Sequence, residues 1–399
     1  MGLRSKLALG VFAAVGAASL GSAPVAAQTA PHVSKAERSA IGALQSALAA
    51  RDYTTAASAL SAAQAAAQSS DARYYVALLQ FQLARETSNA SMQASAIETL
   101  ISLGRLPQAQ LGGLYALQGT SAMGGRDRAA RDRAEAAFAR ALELAPSPEI
   151  ALTLAQLKIN DRKNGEAIAL IDRAIQLQKA RGQAAPESWY RRGIELALTT
   201  KLAPEALRFV HDWIAAYPSP ENWRDAMLIY RDTDKPDPAA LVDALRLQRL
   251  AKGLGGERDY MEAAQTLTAA GLPGEAHSLL EEGVSTHMLD PVKPAAHAAI
   301  LAATHAATTG RARLAGLRGA TTVEAGDQML SFGDYTLAAS AYQGALQKGA
   351  PDPNLVNTRL GIALALAGRR AEAAAAFGAV TGPRADLASL WLVWLGQHA

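Results

Sequence analysis

Along most of the chain, apolar residues return at alternating steps of three and four, the spacing that sets them on one face of an α-helix. The pattern is sharpest over 321–382. There Ala338, Tyr342 and Ala345 form one stripe, and Ala373, Phe377 and Val380 repeat it 35 residues later. Gly326 and Gly333 recur at the same interval as Gly361 and Gly368, and Pro351 and Pro383 close the two segments. Looser copies lie upstream. Trp189, Gly193, Ala206, Val210, Trp213 and Pro218 make one, and Tyr260, Ala264, Leu267, Gly271, Ala276, Leu280 and Gly283 another. Fragments recur at Ala134/Phe138/Ala141/Pro146, Ala167/Ile171/Ala174 and Tyr53/Ala56/Leu60/Ala63.

This spacing predicts pairs of antiparallel helices. Small Ala and Gly slots let two helix axes approach to roughly 8–10 Å. The larger Phe138, Tyr342 and Phe377 fill the space beside each crossing. Glycines between the stripes suit short helix–helix turns that need positive φ. A lone hairpin cannot bury its apolar faces, so each unit must lean on the next.

The slots resemble the tetratricopeptide repeat, whose unit runs W-x2-L-G-x2-Y…A-x3-F…A…P over about 34 residues. The resemblance covers nearly all of 34–397. It implies an all-α, right-handed solenoid of about ten antiparallel hairpins, at 34–69, 71–105, 107–146, 148–179, 186–218, 220–252, 257–289, 292–317, 321–349 and 354–382. The repeat region spans 36–384, and a helix over 385–399 carrying Trp391 and Trp394 caps it, as solenoid ends require. In this family the first helix of each hairpin lines a concave surface where exposed side chains grip peptides. Carried over slot by slot, that face comprises Tyr190, Arg191, Arg224, Tyr230, Gln265, Asp327 and Arg359. Its mixture of arginine, tyrosine, amide and acid suits peptide backbones, carboxylates or sugar hydroxyls.

The amino terminus departs from the repeat pattern. Arg4 and Lys6 precede an apolar run from Leu7 to Leu20, and Val25-Ala26-Ala27 places small residues where a signal peptidase cuts, between Ala27 and Gln28. Residues 1–27 read as a secretory signal and 28–35 as a flexible lead-in. The run is shorter than the ~20 apolar residues needed to span a bilayer. Removing 1–27 takes away Arg4 and Lys6 and no acid, so the net charge falls from +3 to +1. A nearly neutral chain lacks the electrostatic footprint of a nucleic-acid binder. With no cysteine there is no disulfide framework, thiolate chemistry, Cys-ligated zinc or lipoprotein acceptor, and the cleaved chain has no direct membrane anchor.

No catalytic constellation stands out. Gly283-Val284-Ser285-Thr286-His287 has a histidine where a nucleophile elbow needs its second glycine, and it follows a helix rather than a strand. His297 and His305 stand eight residues apart, more than about 10 Å along a helix, too far to ligate one ion. Arg126, Arg128, Arg131 and Arg133 interleave with Asp127, Asp132 and Glu135, as on a solvated helix start. The expected protein is a non-enzymatic scaffold with no metal or cofactor, exported to the periplasm of a Gram-negative bacterium. It would bind a protein or peptide on its concave face, within envelope or exopolysaccharide machinery. The alternative is a glycan- or peptidoglycan-associated protein or enzyme that uses the same groove.

Substitution tests the repeat register. Ala338→Trp and Ala373→Trp each overpack a helix crossing and are expected to cost at least ~1–3 kcal/mol. An unchanged melting temperature in both variants would contradict the slot assignment.

Overall fold

The computed structural model describes residues 32–125 and 127–398. The expected leader 1–27, its Ala27/Gln28 cleavage point, lead-in residues 28–31 and Arg126 lie outside the described residues. Those described form helices joined by short turns, and they divide into two compact units after Gln183. The repeat pattern alone carries no sign of that division.

The first unit is four hairpins: α1 (Lys35–Ala49) with α2 (Tyr53–Ala66), α3 (Ser70–Glu86) with α4 (Ala90–Leu103), α5 (Gln108–Ala122) with α6 (Arg128–Leu144), and α7 (Pro148–Asn160) with α8 (Asn164–Ala180). Short polar side chains start most of them. Asp52, Ser69, Asn89, Asp127 and Ser147 each accept a hydrogen bond from a backbone N–H three residues on, satisfying a donor the helix leaves open. Ser34 and Glu37 form a reciprocal capping box on α1. The other Glu37 oxygen accepts from the N–H groups of Gln68 (2.9 Å) and Ser69 (2.7 Å), so one buried carboxylate ties α1 to the α2–α3 turn. Hydrogen bonds from the Ser69 and Ser34 backbones hold its pKa at about 2, against 4.5 for a free glutamate.

The second unit holds five hairpins: α9 (Glu187–Thr199) with α10 (Ala203–Ala216), α11 (Pro220–Asp234) with α12 (Pro238–Leu250), α13 (Glu257–Ala269) with α14 (Pro273–Ser285), α16 (Val323–Ser331) with α17 (Tyr335–Gln347), and α18 (Pro353–Leu366) with α19 (Arg370–Gly378). Between them runs α15 (Pro294–Leu314), and α20 (Ala385–Gln397) ends the chain. The expected small-against-large interlock is present. A Cβ on Gly193, Gly326 or Gly361 would lie 2.6, 2.5 and 2.6 Å from the rings of Phe209, Tyr342 and Phe377 respectively.

The hairpin expected at 292–317 is instead one 21-residue helix ending in a short 3-10 turn. Nothing in its alanine-rich run breaks the helix. Its internal Gly310 is a point of close approach, where a Cβ would lie 2.8 Å from Phe332 Cζ. The segment 220–252 is a hairpin, but α11 and α12 touch over a short stretch only, splayed by Lys235 at φ 49° and the following Pro236.

The second unit also returns on itself. α20 stacks Trp391 on Phe377 of α19 (centroids 5.6 Å apart) and packs against α10 and α12. Gln397 accepts from Trp223 Nε1 (3.1 Å) and donates to the Ile214 carbonyl (2.7 Å). Beneath this closure, α12 meets α18 around a buried charge cluster. Asp243, fully buried, accepts from Arg246 (2.7 Å) and Arg384 (3.3 Å) and lies 3.5 Å from Arg359. Arg246 grips Glu275 of α14 with two parallel bonds of 2.8 and 2.7 Å. Arg359 donates to Asp327 (2.6 Å), which also accepts from the Tyr342 hydroxyl (2.6 Å). Arg384 reaches Asp237, the residue that caps α12 (3.1 Å). Burial opposes the charge on Arg246, but Glu275 and Asp243 outweigh it and hold its pKa above the usual arginine value. Burial raises the Asp327 carboxyl even though Arg359 and Tyr342 pull it down.

Because the Glu37 pKa is lower folded than unfolded, its stabilisation is present above 4.5 and is lost as pH falls through about 2. Glu37→Gln is therefore expected to lower the urea midpoint of the first unit at pH 7, with the gap to the wild type closing as pH falls from 4.5 to about 2; a pH-independent gap would contradict the linkage. Asp243→Ala removes the acceptor of Arg246 and Arg384 and a counter-charge of Arg359, all three buried, and is expected to destabilise the second unit by about 3–5 kcal/mol. All five tryptophans lie in that unit, at 189, 213, 223, 391 and 394, so their fluorescence reports its unfolding alone. A loss under about 1 kcal/mol, the range of surface pairs, would show that the cluster does not bind the unit together.

Candidate partner-binding groove

A groove of about 970 Å³ opens in the second unit, beside the charge cluster. Its walls are the end of α12, one face of α14 and one face of α15; the α16–α17 turn and the last turn of α18 complete it. From α15 come Thr304, Ala307, Thr308, Arg311 and Ala312, the three- and four-residue spacing of a single helical stripe. The apolar surface comes from the half-buried Leu250, Phe332 and Leu366, over the buried Leu330.

The charges in the walls are unequally committed. Glu275 is held by Arg246, and Glu282 by Arg249 at 2.6 Å. Arg249 also donates to Ser278 (2.8 Å), and His277 lies 3.4 Å from Glu281. Lys252 and Arg311 have no carboxylate partner among the described residues, and the Arg311 guanidinium rests over the Phe332 ring at 5.2 Å. The space is wide, partly apolar and rimmed by two uncommitted cations. Among the described residues no three histidine or carboxylate side chains converge to hold a metal ion. None of the described helices is long and apolar enough to cross a membrane.

None of the seven residues expected on a concave face lines this groove. Tyr190 and Tyr230 are fully buried, contrary to their assignment as exposed contacts. Tyr190 packs edge-on to Tyr217 at 6.1 Å. Tyr230 is enclosed near Asp234, Arg384 and Asp386, and burial with the Asp234 carboxylate holds its phenol well above the usual value. Asp327 and Arg359 come together, but inside the charge cluster, because α12 covers the α18 face that slot matching leaves open. Arg191 is half-exposed over the Trp213 ring (4.5 Å) and bonded to Glu187 (3.0 Å) and Asn222 (3.1 Å). Arg224 pairs with Asp259 at 3.2 Å, and Gln265 is exposed. Three of the seven thus keep a surface position on the first helices of three consecutive hairpins: Arg191 on α9, which pairs with Asp225 of α11 at 3.8 Å, Arg224 on α11, and Gln265 on α13.

Sequence reasoning misses the residues that shape the groove because no repeat slot marks them. One signal does exist for its floor: within the otherwise apolar run Leu241–Leu247, α12 carries Asp243 and Arg246 one turn apart. Such a pair on a helix buried on both sides must be answered by partners from other helices.

No family model matches the sequence, and no curated protein does. Among solved structures, a thermophilic TPR protein of Thermus thermophilus is similar at 18% identity, covering 50% of this chain and 98% of that one, with a TM-score of 0.23. The Naa15/Naa10 structure bound to HypK-THB is similar at 13% identity and a TM-score of 0.33; the match covers 88% of this chain and only 63% of that one. The APC/C hetero-tetramer Cut9-Hcn1 is similar at 12% identity, covering 91% and 84%, with a TM-score of 0.20. At these scores the assignment of fold rests on the chain's own packing, above all on glycines facing Phe209, Tyr342 and Phe377 within three of its hairpins. By that packing the described residues form an all-α array of antiparallel helical hairpins.

Proposed function

We propose that this chain is a non-enzymatic scaffold that binds a protein partner in the groove of its second unit. The observation that carries the reading is the groove itself: about 970 Å³ of mixed apolar and charged surface, walled by helices that the charge cluster holds in place. Its size matches the upper range of ligand sites, and its exposed charges are of the kind that set partner choice at an interface rim. A glycosidase would need two free carboxylates facing each other across the cleft. Here Glu275 and Glu282 are tied to arginines, leaving Glu281 beside His277.

The leader-like residues 1–27 support a periplasmic site of action, in a cell-envelope or exopolysaccharide assembly. In that setting the partner is an envelope protein, and the scaffold reaches the membrane through it.

Site-specific photo-crosslinking in the cells that make the protein tests this reading. A crosslinker at Ser278 or Thr308, in the groove, is expected to give a small reproducible set of protein adducts. The same probe at Thr54, on the exposed surface of α2, is expected to give none of them. Identical adducts from both positions, or glycan adducts alone, would refute partner binding in the groove. An N-terminal peptide beginning at Gln28 on the purified protein tests export, and an intact Met1 would count against it.

A further inference from the structure

We propose that the groove takes an acidic, amphipathic α-helix from the partner protein, laid along α15. The inference rests on the partner-binding reading above and names the chemistry of the partner.

The helix α15 is the irregular member of its unit. The other described helices fall into hairpins or, like α20, pack into the unit on several sides, whereas α15 leans chiefly on α14 and buries only Ala296, Ala303 and Leu314. It is 21 residues long, about 31 Å at the helical rise. The stripe that borders the groove is made of Thr304, Ala307, Thr308 and Ala312, with Leu301, 58% exposed, one turn earlier on the same face. Side chains this small allow a second helix axis to come within roughly 8–10 Å. The groove lining contains no asparagine or glutamine to bridge to the main chain of an extended peptide. Its helical walls have also spent their backbone hydrogen bonds internally, so a partner that satisfies its own backbone, a helix, suits them best.

The charge pattern selects the partner's sign. Between Asp290 and Glu324 the sequence has 33 residues without an acid, while Lys293, Arg311, Arg313 and Arg318 are cationic. Lys293 is paired with Glu257. Lys252 faces the groove from the opposite wall and, like Arg311, has no carboxylate partner among the described residues. Of the three acids in the lining, Glu275 and Glu282 are answered by Arg246 and Arg249, and Glu281 lies 3.4 Å from His277. A second copy of α15 would bring only like charge to this surface, so the occupant is another protein. A helix with leucine or alanine on one face and glutamate along its flanks would place apolar side chains on the half-buried Leu250, Phe332 and Leu366, and carboxylates beside Lys252 and Arg311.

The test uses the full chain and two labelled 20-residue peptides, both with an alanine–leucine face, one flanked by glutamate and one by lysine. In fluorescence anisotropy the glutamate peptide is expected to bind, to weaken as salt rises, and to gain helical circular dichroism on binding. The lysine peptide is expected to bind at least about tenfold more weakly. Lys252→Glu together with Arg311→Glu is expected to weaken the glutamate peptide by about tenfold. Ala307→Trp blocks the α15 stripe without changing charge and is expected to do the same; an unchanged melting temperature by far-UV circular dichroism shows that each variant is folded. Equal binding of the two peptides, or glutamate-peptide binding indifferent to both variants, overturns the proposal, as does no binding at all. Protein adducts at Ser278 or Thr308 with no affinity for the glutamate peptide would remove the acidic helix and leave partner binding intact. Absence of adducts would remove partner binding itself.

Discussion

The second unit depends on one buried carboxylate. Asp243 is wholly out of solvent, and three guanidinium groups from α12, α18 and the turn before α20 converge on it. Desolvating these charges costs several kcal/mol per ion, which only good geometry and complete hydrogen bonding can offset. The arrangement offsets most of that cost by spreading outward, from Arg246 to Glu275, from Arg359 to Asp327 and on to Tyr342, and from Arg384 to Asp237, while Arg359 Nε has no hydrogen-bond partner and faces Asp243 as an ion pair at 3.5 Å. Helices distant in sequence are thereby fixed in one register, which hydrophobic contact alone would specify less narrowly. Because Arg246 and Glu275 also stand in the groove wall, the element that closes the unit sets the shape of its binding surface.

The small-against-large interlock works on a different scale. It fixes each helix against its hairpin partner: Gly193 under Phe209, Gly326 under Tyr342, Gly361 under Phe377. These contacts are local, repeat along the chain and say nothing about how far an array curls. The charge cluster and the Gln397 bonds to Trp223 and Ile214 supply that non-local information. Tyr342 belongs to both systems, since its ring fills the space over Gly326 while its hydroxyl donates to Asp327.

This difference explains what is legible in the sequence. Helices and hairpin pairs can be read because helical periodicity and the 35-residue recurrence are written locally. The lone helix α15 reads as a hairpin because a repeat frame imposed on 292–317 expects a turn, although no residue there demands one. Slot matching puts Tyr190, Tyr230, Asp327 and Arg359 on an open face because it treats each hairpin as exposed on the same side as its relatives. The return of α20 against α10 and α12, and the meeting of α12 with α18, bury positions that a repeat consensus leaves exposed. Nothing in the spacing of any one repeat records a contact between residues 243 and 384.

The same closure relocates the surface on which a partner can act. With Arg359 and Asp327 committed to each other, the faces that family resemblance favours have few free groups left. The free cations and uncovered small residues gather instead around α15, which contributes no residue to the charge cluster and leans chiefly on α14. Its composition is consistent with that exclusion. A helix that must pack internally on several sides needs large apolar residues at regular intervals, and α15 offers mainly alanine and threonine with Leu301 turned outward. Those residues contribute little to the stability of an isolated chain, yet they allow close approach by another helix. The rigid part of the unit therefore supplies the walls, and the weakly packed helix supplies the surface that is open to selection by charge.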